Sequence, residues 1–215
     1  MMKQFKLNRF QLSAVLLIGA AGLAQAETVT VPATATVDNT IDFTFTGSLD
    51  FGTIRATADN SAVTTCVGLT IPANPASATT ATLGTAGAAA CTSGAGTSVL
   101  QSVGGTIARP AFAVAGLAPF TGLKVTVPTT AVNMTLTPAP ATGSIFQLLD
   151  FTVYQTTGTP ASVTLTSGVG NIAANATGNI GFSVGASLIT DPASTATLAY
   201  ENSAYTASFD VLVAY

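Results

Sequence analysis

The sequence contains no histidine and no tryptophan among its 215 residues, and only 7% of its residues are charged. Without histidine, neither a Ser-His-Asp triad nor a Cys-His nucleophile pair can form. The acidic residues are scattered singly, and no glycine-rich loop precedes a helical pattern in the way that phosphate binding requires. We therefore expect a protein that is not an enzyme, with no catalytic residues, no cofactor and no metal ligands.

Basic residues are few and unevenly placed. Three of the six lie within the first nine residues, ahead of an apolar run over 12–23 that ends in Ala24-Gln25-Ala26. This order is typical of a secretory signal peptide, which we predict over residues 1–26. The chain would then cross the inner membrane without remaining in a membrane, and would lie in the periplasm or at the cell surface.

The mature chain would keep three basic residues against nine acids, a formal charge of −6. This charge argues against nucleic acid as a partner. A surface with so few charges is poorly protected against association, which suits a protein packed against copies of itself. The same composition is also common in secreted proteins rich in alanine and threonine.

Cysteine is nearly absent, with Cys66 and Cys91 as its two occurrences. In an exported protein we expect this pair to form one disulfide. Closing a loop of this size would stabilise the fold by about 3–4 kcal/mol. A metal site is the alternative, but the chain offers no histidine and no further thiol to complete it.

The residues that follow the leader alternate between apolar and polar side chains as far as Phe45. Period-two alternation is typical of a strand with one buried face, but this stretch exceeds the usual strand of about five or six residues. Asp38-Asn39 favours a bend. We predict an N-terminal arm over 27–38 and a first domain strand over Ile41–Thr46. The apolar side of the arm consists of Val29, Val31, Ala33, Ala35 and Val37.

Short alternating stretches separated by glycine or proline continue to the C-terminus, and helical periodicity is almost absent. This pattern predicts an all-β, antiparallel sandwich that forms a single domain over 39–215. An insert over 73–105, rich in alanine, threonine and glycine, predicts loops with one or two weak strands. Gly52 in Leu49–Ile54 predicts a bulge or a tight bend. The residues predicted to face inward are Val67, Leu69, Ile71, Phe112, Val114, Leu123, Val125, Val127, Val132, Met134, Leu136, Leu149, Phe151, Val153, Val163, Leu165, Ile180, Phe182 and Val184. A last strand is predicted to carry Tyr205, Phe209, Val211, Val213 and Tyr215.

Two of these elements, Leu49-Asp50-Phe51-Gly52 and the closing Tyr205-x-x-x-Phe209-x-Val211-x-Val213-x-Tyr215, resemble those of a family of secreted bacterial domains of unknown function. The layout is also similar to that of subunits of chaperone–usher pili and of spore-coat-U type fimbriae. Those subunits are immunoglobulin-like sandwiches that lack one strand, and the N-terminal arm of a neighbouring subunit fills the gap.

The resemblance implies a structural subunit of a bacterial surface filament that assembles by donor-strand exchange. Its partners would be copies of itself or related subunits, with a periplasmic chaperone and an usher. The donor arm would be the apolar side of 27–38, and the strand that a chaperone recognises would carry Phe209, Val211, Val213 and Tyr215. A second hypothesis is a monomeric sandwich that its own arm completes and that acts as an adhesin or coat component. A third is a small outer-membrane barrel with an aromatic last strand.

Overall fold

The computed structural model describes Pro32, Thr34 and residues 40–57, 67–77, 98–136, 144–191 and 200–215. One compact unit runs from Asn39 to Tyr215. Its described residues form strands and no helix. The strands are β1 (Asp42–Thr46), β2 (Asp50–Thr57), β3 (Gly68–Ile71), β4 (Val99–Ala108), β5 (Ala111–Ala115), β6 (Gly122–Thr126), β7 (Val132–Met134), β8 (Phe146–Gln155), β9 (Ala161–Val163), β10 (Val169–Ala173), β11 (Ile180–Thr190) and β12 (Leu212–Ala214).

The strands pair antiparallel in three sheets. The largest has the order β1-β5-β11-β8-β7, with β3 also paired to β11 and β9 also paired to β8. A second sheet has the order β10-β6-β12, and a third contains β2 and β4. One hydrophobic core includes buried side chains from all three sheets. The prediction of an all-β antiparallel sandwich is confirmed, whereas its immunoglobulin-like topology stays a prediction.

Strand β11 is the centre of the large sheet. It pairs with β8 along one edge, and with β5 and then β3 along the other. From Phe182 to Thr190 it is buried on both faces, and polar side chains there find partners in the segment around β3. The Ser183 hydroxyl donates to the Ala73 carbonyl at 2.6 Å, and the Thr190 hydroxyl accepts from the backbone N–H of Val67 at 3.2 Å. These bonds allow polar groups to be buried at the middle of the sheet.

Most of the residues predicted to face inward are buried or half-buried. Alternation identifies the buried faces of β3, β5, β6 and the first half of β11 correctly. Strand β10, which pairs with β6 and buries Ile172, was not predicted. Its strongly apolar residues, Val169 and Ile172, lie three positions apart and therefore give no period-two signal.

Strand β8 departs from the prediction. Alternation through Leu149, Phe151 and Val153 places all three on one face, but Leu149 is half-buried while Phe146 and Leu148 are buried with Phe151 and Val153. The register shifts here, because Gly185 pairs with Thr152 and Ser187 pairs with Leu149. Asp150 has a φ of 51°. The extra residue in this bulge reverses which face the following side chains occupy.

The predicted last strand and the predicted insert also differ from the structure. The predicted last strand pairs with β6 only over Leu212–Ala214, because β6 ends at Thr126, opposite Leu212. The insert contributes a stronger strand than expected, since β4 begins at Val99 and continues for ten residues to Ala108, with Leu100 fully buried. Residues 78–97 of the insert lie outside the described residues.

Candidate functional site: an open groove beside an unpaired strand edge

An open groove of about 840 Å³ lies along β2. Residues 48–56 line one side and residues 200–207 line the other. The lining is completed by Val103, Met134, Phe146 and Leu188, of which Phe146 and Leu188 belong to the large sheet and are buried in the core. Its charged lining residues, Asp50, Arg55 and Glu201, are all exposed. The groove therefore combines an apolar bottom with polar, solvated rims.

The β2 side of the groove carries the bulge that Gly52 predicts. The pairing of β2 with β4 shifts between Phe51 and Thr53 and again between Thr53 and Ile54. Gly52 has a φ of 70°, and a Cβ placed on it would lie 2.7 Å from the carbonyl oxygen of Gly104. The Asp50 carboxylate accepts a hydrogen bond from the Gly52 N–H at 2.8 Å. Of the two alternatives predicted for Gly52, a bulge or a tight bend, the structure has the bulge, and it has a steric cause because only glycine fits this position.

The opposite side of the groove, residues 200–207, is held by side chains more than by strand pairing. Within the described part of the chain, its backbone bonds to the sheets through one bridge, in which Thr135 and Thr206 exchange N–H···O bonds of 3.1 and 3.0 Å. Tyr200 stacks on Phe146 with ring centroids 4.1 Å apart, and Tyr205 meets Phe146 edge-on at 4.9 Å. We call these three residues the aromatic cluster. They fix residues 200–207 against the beginning of β8.

The hydroxyls of the cluster add directional contacts. The Tyr200 hydroxyl donates to the Ile145 carbonyl at 2.8 Å and accepts from the Asp191 N–H at 2.7 Å. Burial raises the pKa of Tyr200 above its ordinary value, so the hydroxyl keeps the proton that it donates. The Tyr205 hydroxyl accepts from the Glu201 N–H at 2.9 Å, and burial also raises the pKa of Tyr205. This side of the groove is thus held in one defined position.

One strand edge beside the groove lacks a partner among the described residues. Strand β2 pairs with β4 on one side only. Strand β12 also pairs on one side only, but none of its residues lines the groove. Unpaired edges next to an apolar bottom are the features that accept an additional strand.

The predicted site residues fall into two sets. The C-terminal set is described: Phe209 and Val211 are half-buried, Val213 is buried and pairs with Val125, and Tyr215 is 58% exposed. Phe209 packs on Phe151 at a centroid distance of 4.9 Å. The arm residues Val29, Val31, Ala33, Ala35 and Val37 and the cysteines Cys66 and Cys91 lie outside the described residues, and so does the predicted signal peptide.

Sequence reasoning missed the groove wall formed by Tyr200 and its neighbours. The sequence does contain a feature that could have indicated this wall, because two of the four tyrosines of the chain lie five residues apart in the polar stretch around Glu201. Aromatic residues in a polar segment indicate an anchoring role.

Over the described ranges, no group of three or more acidic, cysteine or histidine side chains is placed to hold a metal ion. The same ranges contain no helix long and apolar enough to span a membrane. Comparison of the chain with models of known protein families, with curated proteins and with solved structures found no match.

Proposed function

We propose that this protein is a structural subunit of a bacterial surface filament, and that its groove accepts the N-terminal arm of a neighbouring copy as an additional strand. The observation that carries the proposal is the apolar-bottomed groove beside the unpaired edge of β2. An incoming strand would bond to this edge through its backbone and place alternate side chains toward the apolar lining residues Val103 and Met134.

The arm suits the groove in length. Strand β2 has eight residues, which extend over about 26 Å at about 3.3 Å per residue. The ten residues over 28–37 would extend over about 33 Å in the same conformation. The arm can therefore follow the whole of β2 and retain residues at each end for connection.

The arm also suits the groove in chemistry. Its apolar side carries only valine and alanine, and its other side carries mainly threonine. Burying each valine would contribute about 1.5 kcal/mol, and each new backbone hydrogen bond about 1 kcal/mol. Because the arm's apolar side contains no charged residue, no charge has to be desolvated against the apolar bottom. Subunits joined in this way would be very stable.

An unfilled groove would also promote misassembly, because open edges and exposed apolar surface lead to aggregation. The proposal therefore includes a periplasmic chaperone that covers the groove before assembly and an usher that guides the exchange. The disulfide between Cys66 and Cys91 belongs to the same proposal, since assembly would take place in an oxidising compartment.

The test is deletion of 27–37 in the exporting cell, with filaments followed by electron microscopy. The proposal expects filaments to disappear while the subunit is still exported. Two matched variants distinguish loss of the arm's apolar contacts from a general effect of substituting arm residues. Replacing Val29, Val31 and Val37 by aspartate should abolish filaments, and replacing Thr30, Thr34 and Thr36 by serine should leave them. Filaments that survive the deletion would overturn the proposal, and a soluble monomer from the intact chain would favour a sandwich completed by its own arm.

A further inference from the structure

The turn between β5 and β6 presents an aromatic ring to solvent from an unfavourable backbone conformation. Phe120 is 72% exposed and has a φ of 61°. The N–H and the hydroxyl of Thr121 both donate to the Ala118 carbonyl, at 3.2 and 2.8 Å, which closes a turn with Pro119 and Phe120 at its centre. Proline followed by a residue with positive φ defines a type II turn, in which glycine is preferred at the second central position. A bulky residue held there, with its ring in solvent, points to a role for the ring outside the fold.

A second turn, over 175–179, packs against the first. The Phe120 N–H donates to the Asn175 carbonyl at 3.3 Å, and the Leu117 N–H donates to the Gly178 carbonyl at 3.2 Å. A Cβ on Gly178 would lie 1.9 Å from the Leu117 carbonyl oxygen, so the two backbones are in direct contact. The ring of Phe120 is therefore carried on a rigid base beside the side chains of the second turn.

The second turn is built from neutral polar side chains that keep bonding capacity. The Asn175 side-chain oxygen accepts from the Thr177 N–H, the Thr177 hydroxyl and the Asn179 N–H, at 3.0, 2.8 and 3.0 Å. The Asn179 side-chain amide donates to the Thr177 hydroxyl at 3.0 Å. Among the described residues, nothing bonds to the side-chain oxygen of Asn179 or to the side-chain amide of Asn175. These groups can bond to a ligand.

A second exposed aromatic residue lies at the same end of the sheet. Ala214 pairs with Lys124, so the next residue, Tyr215, lies beside the beginning of β6, directly after the Phe120 turn. Its side chain is 58% exposed. We call the surface formed by Phe120, Tyr215, Asn175, Thr177 and Asn179 the aromatic end.

We infer that the aromatic end binds carbohydrate, with a pyranose ring stacked on Phe120. One face of a pyranose presents C–H groups that pack on an aromatic ring, and its hydroxyls both donate to and accept from neutral amides. None of the five side chains is charged, which disfavours nucleic acid or an anionic ligand. A stable protein interface would need about 800 Å² on each partner, whereas this end offers two separate aromatic rings among polar groups. The inference does not depend on strand exchange at the groove.

The test uses methyl β-glucopyranoside, methyl β-galactopyranoside and N-acetylglucosamine as probes, titrated to about 100 mM into nitrogen-labelled protein and followed by NMR, because single sugar rings on shallow surfaces are expected to bind in the millimolar range. At least one probe should cause saturable shifts centred on 118–121 and 175–179. Phe120→Gly should weaken that binding at least tenfold. The same substitution should raise the midpoint of thermal unfolding by about 2–4 °C, because it removes the unfavourable conformation.

Phe45→Ala is the matched control, because Phe45 is 69% exposed on β1 and is not part of the aromatic end, and it should leave the binding unchanged. Three results would overturn the inference. One is the absence of saturable shifts with every probe. Another is equal binding by Phe120→Gly and the unsubstituted chain. The third is self-association through the aromatic end, seen as shifts of the same residues that depend on protein concentration without sugar.

Discussion

The ring of Tyr200 stacks on the ring of Phe146 with centroids 4.1 Å apart and planes inclined by 11°. Phe146 begins β8 and is buried in the core, whereas Tyr200 begins the segment that forms one side of the groove. The contact therefore connects the position of the groove wall to the core of the sandwich. Several consequences of this arrangement can be measured.

Removing the Tyr200 hydroxyl should destabilise the fold while preserving the ring contact. In Tyr200→Phe, the N–H of Asp191 and the carbonyl of Ile145 both lose their bond to that hydroxyl. Leaving such groups unsatisfied typically destabilises a protein by about 1–3 kcal/mol. Urea unfolding should show a lower midpoint with an unchanged slope. Tyr154→Phe is the control, because no described hydrogen bond uses the Tyr154 hydroxyl, and it should change stability by less than about 0.5 kcal/mol. Equal effects of the two substitutions would mean that the Tyr200 hydroxyl does not anchor the wall.

Alkaline pH should weaken the fold through the same residue. Burial raises the pKa of Tyr200 above the ordinary 10.0, so the folded chain holds this proton after the unfolded chain has released it. The contribution of protonated Tyr200 to the free energy of unfolding is complete below pH 10. It falls as pH rises above 10, by up to about 1.4 kcal/mol per pH unit. Tyr205, whose pKa is also raised by burial, acts in the same direction.

The measurement for this pH dependence is urea unfolding at a series of pH values from about 9 to about 11.5, a range that brackets the ordinary tyrosine pKa. Tyr200→Phe should show a smaller loss of stability over this range than the unsubstituted chain. Parallel curves for the two proteins would contradict the assignment of the alkaline transition to Tyr200.

The bulge on β2 should tolerate no side chain at Gly52. Gly52→Ala combines a positive φ with a Cβ 2.7 Å from the Gly104 carbonyl oxygen, and we expect it to destabilise the fold by about 1–3 kcal/mol. Gly122→Ala is the matched control, because a Cβ there meets no atom within 4 Å. Thermal unfolding should separate the two variants by several degrees. A stable Gly52→Ala protein would show that this edge of the groove can rearrange.

Alternation in the sequence predicts the faces of strands whose backbone is regular. Alternation correctly predicts that Phe112 and Val114 on β5 are buried. A glycine inside a strand pattern correctly indicates the bulge at Gly52, because only glycine adopts that positive φ without strain. Alternation fails on β8, because the bulge there occurs at Asp150, and aspartate gives no comparable signal for a positive φ. One such residue reverses the faces of every residue on one side of it.

The groove could not be predicted from the sequence, because its parts come from distant segments. The contact of Tyr200 with Phe146 spans more than fifty residues, and the bridge between Thr135 and Thr206 spans about seventy. Local patterns carry no information on such pairs. The extent of the last strand was overestimated for a related reason, since the pairing of Leu212 with Thr126 depends on where β6 ends.

Binding of the arm by the groove is tested most directly with a chain that lacks 27–37 and a synthetic peptide of residues 28–37. Peptide at about one hundred times its dissociation constant should stabilise this chain by about 2.7 kcal/mol, which corresponds to a rise of roughly 5–10 °C in the unfolding midpoint. NMR shifts should centre on β2 and on 200–207. A peptide with Val29, Val31 and Val37 replaced by aspartate should cause neither effect. An unfolding midpoint that the unsubstituted peptide does not change, with no shifts along β2, would contradict strand addition at this groove.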